Sequence, residues 1–529
     1  MGASTALRFV SGLSSAACAQ FLAQSRTRLF DGCALTLSFS SLDDLDGFSG
    51  TLPSEFGLFT GIEYFRLSYV DLLGSLPEVL DSLTKLRELN LQRNALGGSI
   101  PEVYRSLSNL VTFNVQGGRT LSGTIPDWIG EWTALTALWL SDNMLTGFLP
   151  GSVSELTKLE ELALDSNQMS GDVFILEELI KLKHLYLERN SFAQGFNATF
   201  LDRFEQLEHL HIINNDFAGT VPVHLMNLDS LLVMDVNTNK FSEFPDEIPE
   251  GSKVQFLAIH RNSIAGTAFP SSFAHPTGLS HLDITSTDFT GKMPDFLGDL
   301  TLLRYLFMAD TSFDQGPIPD TYRSLEYLKD MSLKHSNRNG AIPLWSQELD
   351  HLVLLDLDNN ELTGEVPSGL AELSSLRYLL LNRNNLMGML PAELDHASNL
   401  CTCPISSSRD ACTTFLGTDT FEISCLQTGI LLLDHNNVTG SLNPFCSLQP
   451  VFGATADCKS MPADATSVGS MAEVNCTCCK YCCNDDDPMP CNTEDRLAQY
   501  DSKWQDGYSG IHYYDFNDDY VETPPLLLL

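Results

Sequence analysis

Apolar residues recur along this chain at a constant cadence. From Ile62 to Pro391 the chain repeats L-x-x-L-x-L-x-x-N-x-L-x-G-x-I-P about every 24 residues. One copy runs Leu86, Leu89, Leu91, Asn94, Leu96, Gly98, Ile100 and Pro101. Another runs Leu352, Leu355, Leu357, Asn360, Leu362, Gly364, Val366 and Pro367. The second and third leucines stand two positions apart, so both point to one side of a short strand. The residues between and beside them point to the other side. A backbone that leaves a strand needs new partners for its polar groups. The Asn at the ninth position supplies two donors and an acceptor for that purpose. This ladder runs Asn94, Asn143, Asn167, Asn190, Asn215, Asn239 and Asn262, then Asn360, Asn384 and Asn436. Thr287, Thr311 and Ser336 take the position in between, with shorter side chains that still reach backbone. A Gly four residues on permits a turn that a side chain would crowd.

A period of this length defines a leucine-rich repeat. The expected fold is an α/β solenoid with a parallel concave sheet and a convex side of short 3-10 helices and loops. Each unit buries four or five apolar side chains at roughly 1.5–3 kcal/mol apiece. Ordering its residues costs a comparable amount. Stacking therefore decides stability, and both ends need caps. Such a surface suits recognition rather than chemistry.

The cadence also sets boundaries. Residues 1–34 carry no repeat and read as a reduced N-terminal cap with a weak signal-like stretch. The solenoid spans 35–400. Residues 401–427 are a Cys-containing insertion, and 428–445 a final repeat. Residues 446–491 form a Cys-rich C-terminal cap, and 492–529 an acidic tail without structure. Twelve of the 14 cysteines lie in two of these late segments, the insertion at 401–427 and the cap at 446–491. They are Cys401, Cys403, Cys412, Cys425, Cys446, Cys458, Cys476, Cys478, Cys479, Cys482, Cys483 and Cys491. Adjacent cysteines without a nearby His are poor zinc spacing, so disulfides in an oxidising compartment are the favoured reading. The sequons at Asn197, Asn437 and Asn475 agree with an extracellular or cell-surface protein. No apolar run is long enough for a membrane helix. The formal net charge of −38 argues against nucleic acid and permits basic partners.

The G-x-I-P half of the unit resembles the plant-type leucine-rich repeat of receptor-like proteins, receptor-like kinases and polygalacturonase inhibitors. That resemblance implies a right-handed superhelix with a second small sheet beside the concave one. It also implies a protein or peptide ligand, or a glycan, and a co-receptor. The run from Glu473 to Cys483, with Cys476, Cys478, Cys479 and Cys482, resembles the terminal block of microalgal leucine-rich repeat proteins. Two departures stand out. The plant N-terminal cap is reduced here to Cys18 and Cys33, and no kinase motif follows the repeats. Kinase activity is therefore not carried over.

The repeat register names the residues that face a ligand. The candidates on the concave side are Trp139, His184, Tyr186, Arg189, His209, His211, His260, Arg261, His281, Tyr305, Phe307, His335, Tyr378 and Arg383. His184 and Tyr186 on one strand adjoin His209 and His211 on the next. Four such side chains suggest either a pH-sensitive or metal-capable patch, or a generic contact surface. Asp235, Asp283, Asp356 and Asp358 suggest calcium less than they suggest solvated charges. No residue set combines nucleophile, base and pocket, so neither catalysis nor a cofactor is expected. A cell-wall scaffold and the ectodomain part of a longer receptor are the rival readings.

Overall fold

A computed structural model describes residues 34–38, 51–52, 54–69, 71–194, 203–245, 247–391, 430–433 and 436–441, with short strands at 455–457, 474–475 and 481–483. The chain divides into two compact units, Met1–Asp314 and Gln315–Leu529. In the first unit, short strands stack side by side, one from each repeat. They begin with Ala34–Ser38, Tyr64–Ser68, Glu88–Asn90 and Thr112–Asn114. Ala137–Trp139, Glu161–Ala163, His184–Tyr186 and His209–His211 follow. Val233–Asp235, Phe256–Ala258, His281–Asp283 and Tyr305–Phe307 complete the series. Every neighbouring pair is parallel and in register. The second unit stacks Asp330–Ser332, Leu354–Asp356, Tyr378–Leu380, Ile430–Leu432, Thr455–Asp457 and Tyr481–Cys483 in the same way. Each unit is thus a leucine-rich repeat solenoid.

The inward positions fill the core as the spacing requires. Leu89, Leu138, Leu162, Leu185, Leu210 and Leu257 are fully buried. Opposite the strands, the closing Pro of a unit opens a 3-10 turn. Pro101 precedes the helix Glu102–Ser106, whose Tyr104 points inward and is fully buried. Proline suits that place because its ring presets φ and the first amides of a helix have no intrahelical partner. Tyr104 Oη donates to the Pro77 carbonyl at 3.1 Å, tying one unit to the one before.

Between strand and 3-10 turn lie the small second sheets that the resemblance implies. Ser122–Gly123, Met144–Gly147, Gln168–Asp172 and Ser191–Gln194 form one of them. The repeat's Gly sits here at positive φ. Gly171 has φ +95°, and a Cβ on it would come within 2.5 Å of the Phe148 ring. No other residue type fits both restrictions.

The asparagine ladder connects neighbouring units. Asn167 Nδ2 donates to the carbonyls of Leu140 (3.0 Å) and Leu164 (2.9 Å), while its Oδ1 accepts from the Leu145 amide (3.0 Å). Asn94, Asn190, Asn215, Asn239, Asn262, Asn384 and Asn436 repeat this scheme. Asn360 accepts from the amides of both Ser336 and Arg338. Asn143 departs from it. Its Nδ2 is bonded, but its Oδ1 is buried without a hydrogen-bond partner. The preceding unit has Gly118 at the ladder position and one extra residue. That insertion moves away the amide that would donate. Thr287, Thr311 and Ser336 bond the carbonyls of Ile284, Met308 and Leu333, so they cap their own turn.

One conformational feature has no consensus letter. The residue just before the ladder position is left-handed in unit after unit. Asp142, Ser166, Arg189, Asn214, Thr238, Arg261, Ser286, His335, Asn359 and Arg383 all have φ between 45° and 54°. Such a backbone costs roughly 1–2 kcal/mol for a residue with a Cβ. It turns the chain out of the strand while the amide still bonds the next unit, as Arg189 does to Ile213 (2.9 Å).

Candidate recognition face

Within the first unit, the outward positions form two dissimilar stretches. From His209 to Phe307 the face is closed. His209, His211, His281, Tyr305 and Phe307 point outward in register, yet their exposures lie between 1% and 8%. Strands about 4.8 Å apart bring large side chains into contact, and they cover each other. His281 stacks on Phe256 at 4.1 Å between ring centroids and touches Tyr305 (5.5 Å) and Phe307 (5.6 Å). His209 lies 4.9 Å from His184, and Tyr186 stacks on His211 at 5.0 Å. These histidines are therefore a packed layer, not the open patch expected from the register.

Burial changes their chemistry. It lowers the His209 pKa to about 4, with His184 adding to the effect. It holds His211 well below the ordinary imidazole range, again with help from His209 and His184. Neither imidazole titrates near neutral pH, which corrects the expectation of a neutral-pH patch. Among the described residues no group of His, Cys, Asp and Glu is placed to hold a metal ion.

The aspartates are likewise not solvated charges. Asp235, Asp283, Asp356 and Asp358 are all buried. Burial raises the Asp235 pKa to about 7 although Asn237 Nδ2 donates to it at 2.6 Å. Asp283 also meets a burial penalty, but His260 Nδ1 lies 2.9 Å from its Oδ2 and the net shift is downward. His260 is half-buried; burial opposes its charge, and Asp283 outweighs that, so its pKa rises.

From Trp139 to Arg189 the face is more open. Trp139, His184 and Tyr186 are half-buried and Arg189 is exposed. Trp139 Nε1 donates to Glu161 Oε2 at 3.1 Å. His184 Nε2 lies 3.7 Å from a Glu208 carboxylate oxygen. Ala163 stands between the two rings, paired with Trp139 on one side and Tyr186 on the other. Beside this row lie Asp165 and Glu188, one on each of two adjacent units. Ser141 Oγ donates to Asp165, whose pKa is still raised by burial. Burial and the nearby Asp165 push the Glu188 carboxyl well up, and its Oε2 has no hydrogen-bond partner. The two carboxylates were not among the residues singled out from sequence. Their signal was available: both occupy the outward position next to the ladder turn.

The second unit carries the remaining candidates. Tyr378 is buried, and Arg383 half-buried. Arg383 Nε donates to Asp358 Oδ1 at 2.8 Å, and Lys334 Nζ lies 3.8 Å from the same carboxylate. Ser332 Oγ donates to Asp356 at 2.8 Å, and burial with the neighbouring Asp358 raises the Asp356 pKa to about 7. Arg261 in the first unit and His335 in the second are exposed, each on a left-handed residue. Asn437, Asn475, Cys482 and Cys483 fall on short strands with only their backbone described. Asn197 and the remaining cysteines of the expected disulfides lie outside the described residues, as do the insertion at 401–427 and the tail.

These repeats, their in-register sheet and the asparagine ladder define a leucine-rich repeat protein, with units of the plant type. The Leucine Rich Repeat family model matches residues 85–107, 134–156 and 351–373. Receptor-like protein 39 of Arabidopsis thaliana is 28% identical over 164 residues, which is 31% of this chain and 18% of that protein. The chain thus matches less than a fifth of that relative's length. The plant peptide hormone receptor RGFR1 in complex with RGF2 superposes with a TM-score of 0.64 at 24% identity, covering 85% of this chain and 68% of that one. The Leptospira interrogans LRR protein LIC12759 superposes with 0.59 at 24% identity, covering 83% and 97%. At such identities the structural likeness speaks to the fold alone. No helix among the described residues is long and apolar enough to cross a membrane.

Proposed function

We propose that this chain is a non-enzymatic recognition module that binds a peptide segment across the outer face of its main sheet. The observation that carries this reading is the open stretch from Trp139 to Arg189. There, half-exposed rings and incompletely paired carboxylates stand in register on a rigid sheet. Exposed aromatic side chains are frequent anchors of protein interfaces. The plant receptor with the same fold is described as a peptide hormone receptor in complex with RGF2. The sequons and the cysteine-rich C-terminal segments support a place outside the cell or at its surface, where a co-receptor would complete a signalling assembly.

Panning random peptide pools on the full chain tests this. Enrichment of peptides that bind the wild type but lose affinity for Trp139→Ala and Tyr186→Ala supports the reading. Enriched peptides that bind both variants as well as wild type would place the site elsewhere. An immobilised glycan array run in parallel distinguishes sugar recognition from peptide recognition.

A further inference from the structure

We propose that the slot over Ala163 is a subsite for one cationic side chain, an arginine of the bound peptide. The proposal rests on the peptide-binding reading and specifies what this part of the face selects. Ala163 is the small residue between two large ones. Register pairing places Trp139 on the strand before it and Tyr186 on the strand after it. Two strand spacings separate the walls by about 10 Å at the backbone. A planar group in contact with both rings needs about 3.5 Å on each side. One face of Tyr186 is taken by His211. The other ring in contact with Tyr186 among the described residues is His184 on its own strand, tilted at 6.2 Å.

The charge around the slot is acidic and only partly compensated. Burial raises the Tyr186 pKa, and the negative charge of Glu188, Glu161, Asp165 and Glu208 adds to it. Glu161 receives the Trp139 N–H and Asp165 receives the Ser141 hydroxyl. Glu188 Oε2 is buried and receives nothing. The adjacent Arg189 lowers the Glu188 pKa, but burial and Asp165 outweigh it. Burial favours the neutral form of this carboxyl, and a charged donor placed against it would favour the ionised form.

Arginine meets these conditions better than other groups. Its guanidinium is planar, stacks on aromatic faces and offers parallel N–H donors to a carboxylate. Lysine fills the charge but not the slot. A metal ion fits poorly, since no suitable ligand cluster exists among the described residues. The net charge of −38 favours the approach of a basic segment at low salt.

The test uses two labelled hexapeptide pools, identical except that one fixed position is Arg or Gln, and measures their affinity for the full chain. The Arg pool should bind about tenfold tighter. Glu188→Gln should remove most of that ratio, and Ala163→Leu, which fills the slot, should abolish it. Ala163→Val, a smaller plug that leaves both rings in place, serves as a second slot variant should Ala163→Leu fail to fold. Equal binding of the two pools to wild type overturns the subsite and leaves the peptide reading standing. An Arg preference that persists in the slot variants also overturns it. Absence of binding by either pool overturns both readings. Displacement of the Arg pool by a neutral oligosaccharide would show that the rings stack on sugar, and would overturn the cationic subsite.

Discussion

The stretch from Trp139 to Glu188 and the stretch from His209 to Phe307 lie on the same sheet of the same unit, with the same register. They differ in what neighbours what. In the later stretch, large side chains follow one another on adjacent strands, so each ring covers the next and the face closes. In the earlier stretch Ala163 interrupts the row, and the rings on either side stay half-exposed. Pointing away from the core is therefore not the same as being available. At a strand spacing of about 4.8 Å, availability depends on the sizes of the two neighbours as much as on direction.

Large-to-small substitutions separate the two stretches most clearly. Phe256→Ala removes a ring that is 3% exposed and stacked on His281, and should destabilise the protein by about 3 kcal/mol in urea denaturation. A loss below about 1 kcal/mol would mean the later stretch is as open as the earlier one.

A second comparison uses acid. His209 titrates near 4 when folded and near 6.5 when unfolded, so the unfolded state binds more protons between those values. Its stabilisation is complete above about pH 6.5 and is lost as pH falls toward 4, by about 3 kcal/mol if the whole shift is realised. The double variant His209→Gln, His211→Gln should flatten that limb of the stability–pH curve. An unchanged slope would show that these imidazoles are not packed away from water.

Asp235 works in the opposite sense. Its folded pKa is raised to about 7, so the folded state holds the proton longer. Stability from this group is greatest below the unfolded carboxyl pKa and declines as pH rises toward 7. Asp235→Asn should therefore raise the unfolding free energy at pH 8 relative to wild type by about 1–2 kcal/mol after its hydrogen bonds are considered, seen as a higher melting temperature. The difference should shrink below pH 4.

The smallest effect on stability belongs to the open stretch. Trp139→Ala should change unfolding free energy by about 1 kcal/mol or less, since the ring is half-exposed. The same variant should lose peptide binding. A stability loss as large as that of Phe256→Ala would make Trp139 a packing residue and remove the contrast.

Most of the fold was legible because one period governs it. Leucines two apart, a polar ladder residue and a Gly-x-Ile-Pro turn state the strand, its exit and its return. The site was legible only as a list of directions. Accessibility needed the neighbour one repeat away: Phe256 beside His281, and Ala163 between Trp139 and Tyr186. The aspartates read as solvated charges for the same reason, since burial by adjacent units leaves no mark in the local sequence. The Asn143 oxygen without a partner follows from an insertion about 25 residues earlier, at Gly117 and Gly118, which was visible as a break in cadence.

The left-handed residue ahead of each ladder position has a practical meaning for anyone who would re-engineer this surface. It works like a row of sockets along one border of the sheet. At Arg189, Arg261 and His335 the turn is held by the residue's own amide and the side chain is exposed, so it can be exchanged without repacking the interior, whereas Arg383 is tied to the buried Asp358. Arg189, Arg261, His335 and Arg383 occupy four of them. Glycine would ease the turn at each, and β-branched residues would strain it, Thr238 being the one β-branched residue among those named, so stereochemistry favours unbranched side chains along this border before any ligand is considered.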